Sequence, residues 1–188
     1  MNKNFIPILT LFLGLCLASC HNGANSTDPE KQANAANKKN NSINYFDAKF
    51  MTAAASDGMM EVEAGQIAVQ KGISQEVKDY GQQMITDHSA ANDQLKTLAA
   101  QKNVVLPNTL GNDDQQKIDI LNKVDAKDFD KTYIKMMVKD HSAAVDKFQS
   151  EVDHPEDADV KTWAQNTLPM LLHHLETAKT DRDIVNKE

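Results

Sequence analysis

Glycine and proline are scarce in this chain, with 7 and 5 copies among 188 residues. Sheet proteins need these residues in their many turns, so the shortage argues against a β architecture. Alanine, lysine, aspartate, glutamine and methionine are common instead. This composition is typical of an all-α fold, and the length suits one modest domain with additional segments.

Positive charge is also in short supply, because the formal net charge is −7 at pH 7. A protein that binds nucleic acid needs a basic face for the phosphates. The chain has no glycine-rich phosphate loop either. Nucleic acid is therefore not expected as a partner.

Cysteine occurs only twice, at Cys16 and Cys20. Both lie in an N-terminal segment that has Lys3 at its start and an apolar run at 5–18. The run is too short to span a membrane, and Pro7 interrupts it. Residues 1–19 are therefore predicted to be a targeting signal that is removed from the mature protein.

The tetrapeptide at 17–20, Leu-Ala-Ser-Cys, resembles the end of a bacterial lipoprotein signal. The resemblance implies cleavage before Cys20 and acylation of that residue, so the membrane is the expected partner through the acyl chains. His21 at the next position implies the outer membrane of the cell envelope by the lipoprotein sorting rule. The mature chain would then have neither a disulfide nor a cysteine nucleophile. The alternative is an ordinary secretory signal with an incidental cysteine.

Residues 21–44 contain almost no large apolar side chain and are rich in asparagine, alanine, lysine and serine. Such a segment buries too little surface to fold by itself. Residues 20–44 are therefore predicted to be the lipidated cysteine followed by a disordered tether. The folded domain is predicted to occupy residues 45–188.

Apolar residues recur at spacings of three and four through most of the remaining chain, which indicates amphipathic helices. The predicted long helices are at 47–71, 74–102, from 125 or 128 to 152, and 157–185, and a short helix is predicted at 113–124. Gly72 is a stop signal and Ser74 is an N-cap, so the first two long helices are antiparallel neighbours. The sequence predicts an antiparallel four-helix bundle with one long connection that carries the short helix.

The pentapeptide Asp-His-Ser-Ala-Ala occurs twice, at 87–91 and at 140–144. Its histidines, His88 and His141, each lie in the middle of an apolar helical stripe, where a bundle would normally have leucine. The repeat indicates that two helices have the same need for a histidine. The alternative is that each imidazole is a partly buried, hydrogen-bonded core residue.

Two more polar residues, Glu61 and His174, lie on the apolar stripes of the first and fourth long helices. If both short turns lie at the same end of the bundle, the rise per residue brings all four polar positions to similar levels near mid-height. Imidazole and carboxylate ligands suit iron, zinc, manganese or copper. Asp87 and Asp140 are predicted to orient the imidazoles through hydrogen bonds. The predicted metal ligands are Glu61, His88, His141 and His174. A metal-free buried polar cluster is the alternative.

These motifs resemble the bacterial domain-of-unknown-function family 4142. The resemblance covers about 45–179 and depends on the following stretches: Phe50 with Glu61-Val62-Glu63, Asp87-His88, Leu106-Pro107, Asp140-His141, and Leu168-Pro169 with His174-Leu175. It implies a ferritin-like four-helix bundle, a location in the cell envelope and a relation to di-iron bundles. It implies no established activity.

The chain departs from di-iron bundles because no Glu-x-x-His occurs at the matching positions. Haem attachment is not expected, since Cys-x-x-Cys-His is absent from the sequence. Two functions stay open: an envelope-anchored metal-binding module, and a non-enzymatic structural or stress-related envelope protein. A redox enzyme is a third, which has only the fold analogy behind it. Metal identity, substrate, protein partners, oligomeric state and the face of the membrane are not specified by the sequence.

Overall fold

The computed structural model describes residues 27–40 and 43–187. These residues form an all-α fold, so the predicted fold class is confirmed. The helices are α1 Pro29–Asn40, α2 Tyr45–Lys71, α3 Gln75–Lys102, α4 Asn112–Lys123, α5 Ala126–Asp153 and α6 Ala158–Val185. The four long helices, α2, α3, α5 and α6, form the bundle, and each lies within a few residues of its predicted bounds.

The two short turns lie at opposite ends of the bundle. At one end the α2–α3 turn meets the start of α5, because the Asp130 carboxylate accepts hydrogen bonds from the backbone N–H groups of Ile73 and Ser74 at 2.9 and 2.8 Å. At the other end Lys102, at the end of α3, pairs at 2.7 Å with Asp157, the N-cap of α6. Helices α3 and α5 therefore run in the same direction. The connection that contains α4 returns the chain from the end of α3 to the opposite end of the bundle, where α5 begins.

The sequence analysis expected the four metal ligands to lie at one level if both short turns were at the same end of the bundle. The observed turns are at opposite ends. The four polar positions still lie at similar heights, because each is near the middle of a helix of 27 or 28 residues. Distances counted from either end of such helices are similar. The mid-bundle layer is therefore compatible with both arrangements of the turns.

The prediction of a disordered tether is wrong for residues 29–40, which form α1. This helix is held by asparagine side chains rather than by apolar burial. Asn37 donates to the Val105 carbonyl at 2.8 Å and accepts from the Val105 N–H at 2.7 Å. Asn34 accepts at 2.5 Å from the Thr52 hydroxyl of α2. Low hydrophobicity predicted disorder here because it does not register polar docking of this kind.

The predicted signal peptide, Cys20 and the start of the predicted tether lie outside the described residues. Within the described ranges, none of the helices combines the length and apolarity that a membrane crossing requires.

Helices α2 and α3 approach each other closely at a pair of glycines. A Cβ added to Gly65 would lie 2.6 Å from the Gly81 carbonyl oxygen, and one added to Gly81 would lie 2.8 Å from the Gly65 carbonyl oxygen. Neither oxygen can move without moving its helix. The absence of two side chains therefore sets the distance between these helices just beside the histidines.

We expect Gly65→Ala to lower the free energy of unfolding by about 2 kcal/mol or more, because the added methyl group forces the two backbones apart. Without that clash, alanine would stabilise the helix by about 1 kcal/mol relative to glycine. Urea denaturation followed by circular dichroism measures the difference.

Gly58→Ala is the matched control on the same helix. The three atoms nearest to its Cβ would all belong to the amide group of Asn92, a side chain that can rotate away. We expect its free energy of unfolding to stay within about 1 kcal/mol of wild type or to rise. Equal effects of the two substitutions would contradict the close helix contact.

Candidate metal centre

Three imidazoles from three helices meet at mid-height in the bundle: His88 of α3, His141 of α5 and His174 of α6. Their ring centroids are 5.2 to 5.6 Å apart. One nitrogen of each ring lies within 4.8 Å of the corresponding nitrogens of the other two. All three residues are buried, with exposed fractions of 6, 1 and 0%. We call these three residues the histidine layer.

The hydrogen bonds on the outer side of two rings fix their tautomers. His141 Nδ1 lies 3.1 Å from the Met137 carbonyl oxygen, which can only accept, so this nitrogen carries the proton. His174 Nε2 lies 2.8 Å from the Asp87 carboxylate, so this nitrogen is also the donor. In neutral rings, the inner nitrogens, His141 Nε2 and His174 Nδ1, then both carry lone pairs. They face each other at 3.3 Å.

Burial keeps these rings neutral. Burial, together with the neighbouring His174, lowers the pKa of His141 to about 3, although the hydrogen bond to the Met137 carbonyl opposes the shift. Burial also lowers the pKa of His88 well below the usual range, with His141 and His174 adding to the effect. For His174 burial lowers the pKa, and the hydrogen bond to Asp87 opposes it. The facing lone pairs are therefore not separated by a proton at neutral pH.

The third ring, His88, has a nitrogen without a partner. Its Nε2 is buried, and it neither accepts nor donates a hydrogen bond among the described residues. A buried polar atom in this state costs about 1–3 kcal/mol. The histidine layer therefore contains two facing acceptors and one unpartnered imidazole nitrogen, and a cation bound among the three rings would relieve this unfavourable arrangement.

Glu61 is buried next to the histidine layer, as predicted, but its carboxyl group lies beside the outer nitrogen of His141. Oε1 is 3.7 Å from His141 Nδ1. Burial raises the pKa of Glu61 well above its usual range, and Asp140 raises it further. The contact is therefore not an ion pair. Glu61 is outside the group of converging nitrogens found in the described part of the chain, so its role as a fourth ligand stays a prediction.

The two aspartates of the repeated motif have different partners. The Asp87 carboxylate accepts a hydrogen bond from the imidazole of His174, which is on another helix, at 2.8 Å. Among the described residues, no hydrogen bond joins Asp140 to an imidazole. Asp140 lies 3.1 Å from the ammonium group of Lys117, which also contacts Asp114 at 3.0 Å. The identical pentapeptides predicted identical roles, but α4 places a lysine beside only one of them.

The sequence interpretation missed two neighbours of the site. Burial alone would lower the pKa of Lys117, but Asp140 and Asp114 outweigh it and raise the pKa. Nothing in the sequence indicates this lysine. Tyr80 packs against two rings of the layer and donates to the His174 carbonyl at 3.2 Å. Its position two helical turns before His88 on the same stripe was a usable signal. The exposed His154 and His173 lie outside the layer.

The arrangement provides three neutral nitrogen donors on rigid helices, and the outer hydrogen bonds hold two of the rings in place. Such a set can bind a divalent transition metal ion without deprotonation of the ligands. An ion held by only these three protein donors would keep a fourth position open to water or another molecule.

Comparisons with curated proteins and with solved structures gave no match. A family model matches residues 29–180, which include α1 and the whole histidine layer. The match covers most of the chain and confirms the resemblance seen in its motifs. The chain therefore belongs to the family described as Domain of unknown function (DUF4142).

Proposed function

We propose that this protein is a metal-binding module of the cell envelope in which His88, His141 and His174 hold one divalent transition metal ion. The observation that supports this most directly is the pair of lone-pair nitrogens, His141 Nε2 and His174 Nδ1, at 3.3 Å. Two neutral acceptors repel each other at this distance, and the bonds on their outer sides leave no proton for either of them.

The same distance suits a shared metal ion. Nitrogen ligands at 2.0–2.1 Å from a tetrahedral ion lie about 3.3–3.4 Å from each other. His141 and His174 therefore already have the spacing of two corners of such a site. His88 supplies the third corner through the ring nitrogen that lies within 4.8 Å of the ligand nitrogens of the other two histidines.

The donor set narrows the choice of metal. Imidazole nitrogen suits zinc, copper, iron and nickel, whereas magnesium, calcium and manganese prefer oxygen ligands. Three imidazoles and no carboxylate in the converging group favour the first class. Of the four metals expected from the sequence, zinc, copper and iron suit this donor set better than manganese.

Titration of the purified metal-free protein with Co²⁺ or Zn²⁺ tests the proposal. We expect one ion per chain, and visible absorption bands typical of tetrahedral or five-coordinate Co²⁺. At a free metal concentration 100 times the dissociation constant, the free energy of unfolding should rise by about 2.7 kcal/mol.

The alternative is a structural envelope protein in which the histidines form a metal-free polar cluster. It predicts no saturable binding and no change in thermal stability with added metal. Either finding, for both ions, would contradict the metal-binding function.

We also propose that the module is attached to the membrane, in the outer membrane, through acyl chains on Cys20. The support is the signal-like segment that ends at this residue. Expression with labelled fatty acid should label the wild-type protein and place it in the membrane fraction. Cys20→Ser should abolish both the label and the membrane association, because it removes the acylated sulfur. An unlabelled wild-type protein would contradict the proposal.

A further inference from the structure

The histidine layer separates two unlike halves of the bundle interior. Toward the α2–α3 turn the interior is filled by large side chains that include Tyr80, Met84, Tyr133 and Met137, all at most 2% exposed. On the other side of the layer lies a cavity of about 480 Å³, which His88 and His141 themselves line. We call this cavity the hollow.

The hollow exists because small residues occupy the helical turn next to the layer. Ala91 follows His88 by three positions, Ala144 follows His141 by three, and Gly58 lies three positions before Glu61. All three residues line the cavity. A bundle normally fills such positions with large apolar residues. The sequence therefore maintains a space one turn away from the metal-binding nitrogens.

Four residues that line the hollow have a buried polar atom without a hydrogen-bond partner within the described ranges: His88 (Nε2), Glu61 (Oε2), Trp163 (Nε1) and Asp140 (Oδ2). The Asp140 atom is paired electrostatically with the ammonium group of Lys117 at 3.1 Å, so the other three are the candidates for contact with a ligand. Empty apolar cavities have no need of polar groups in their walls, whereas ligand sites place a few such groups in a mainly apolar lining. The other walls include apolar side chains such as those of Phe148 and Leu171.

The hollow also reaches the protein surface, because exposed residues, Asp113 and Lys139, are part of its lining. Its volume lies in the range of roughly 300–1,000 Å³ that is usual for small-molecule sites. The hollow is therefore open to a molecule that comes from the solvent.

We propose that the hollow is the binding pocket for a small, mainly apolar organic molecule that coordinates the metal through one nitrogen or oxygen donor. This inference rests on the proposed metal function, since the ion supplies the anchor point. The fourth position of an ion held by three histidines faces the hollow, because the other half of the interior is filled. Trp163 Nε1 donates a hydrogen bond to an acceptor on the bound molecule.

The charges at the rim favour a molecule without net negative charge. The lining contains the carboxylates of Glu30, Asp57, Asp113, Asp114 and Asp140 and the ammonium groups of Lys117, Lys139 and Lys147. Carboxylates therefore outnumber ammonium groups, even with Glu61 in its neutral form. Lys117 and Lys147 are already paired with aspartates.

Two neutral probes that differ only in an apolar ring test the pocket: imidazole and 4-phenylimidazole. Each is titrated into the Co²⁺-loaded protein, and the visible spectrum of the ion reports coordination. We expect both probes to shift the spectrum and 4-phenylimidazole to bind about tenfold or more tightly, because its phenyl ring enters the hollow.

Ala91→Leu fills the hollow and replaces none of the three histidines, and Ala90→Leu is the matched control at the neighbouring exposed position of α3. We expect both variants to bind Co²⁺ as wild type does. The preference for 4-phenylimidazole should disappear in Ala91→Leu and persist in Ala90→Leu. Ala144→Leu, which fills the hollow from α5, replaces Ala91→Leu if that variant does not fold.

The possible results distinguish failure of the pocket from failure of the proposed metal-binding function. Absence of Co²⁺ binding in wild type overturns both. One bound Co²⁺ whose spectrum neither probe changes overturns the pocket alone. Equal affinities of the two probes in wild type, or a preference that survives in Ala91→Leu and Ala144→Leu, also overturn the pocket and leave the metal site intact.

Discussion

His174→Ala is expected to lower the affinity for Co²⁺ roughly 100-fold or more, because one of three donors is lost and the dissociation constant of a site depends steeply on donor number. The ring of His174 is fully buried and its Nδ1 faces His141 Nε2. Competition with a chromophoric chelator measures the dissociation constants of variant and wild type.

His173→Ala is the matched control, since the adjacent ring is exposed and lies outside the group of converging nitrogens. It should bind Co²⁺ with wild-type affinity. Circular dichroism and thermal unfolding of the metal-free proteins show whether each variant is folded. A folded His174→Ala protein with unchanged affinity would remove His174 from the site.

The second large effect is expected at Asp87. Asp87→Asn should weaken metal binding about 10- to 100-fold, because the carboxylate that fixes the tautomer and raises the basicity of His174 is replaced by a neutral amide. The hydrogen bond concerned is 2.8 Å long. The same competition assay measures the change.

The repeated pentapeptide provides the control for this experiment. Asp140 occupies the same motif position as Asp87, but its partner is Lys117. We expect Asp140→Asn to leave the metal affinity within about threefold of wild type and to reduce stability, because a partly buried ammonium group loses one of its two carboxylates. Equal losses of affinity in the two variants would mean that motif position matters and the observed contacts do not.

The periodic parts of the sequence predicted the bundle well for a physical reason. Each long helix has an apolar stripe, and local signals mark its ends. Ser74 accepts a hydrogen bond from the Val77 N–H, as an N-cap does, and Gly72 follows the last residue of α2. The convergence of His88, His141 and His174 was predictable because a polar residue on an apolar stripe must face the bundle interior.

The differences between the predicted and the observed structure arise from contacts between residues that are far apart in the sequence. The docking of α1 depends on hydrogen bonds between Asn37 and Val105, which are 68 positions apart. The different partners of Asp87 and Asp140 depend on where α4 places Lys117. The local sequence pattern contains no information on the docking of α1 or on the partners of these aspartates. The hollow was equally invisible, because alanine at helical spacing indicates close packing as readily as empty space.

If the protein is anchored through Cys20, the position at which its folded part begins limits the distance between the domain and the membrane. The described structure begins at residue 27, and α1 is fixed to the bundle. If Cys20 carries the acyl chains, a fully extended chain between the two points spans at most roughly 25 Å. The start of α1, and with it the attached side of the domain, then stays within roughly 25 Å of the lipid surface.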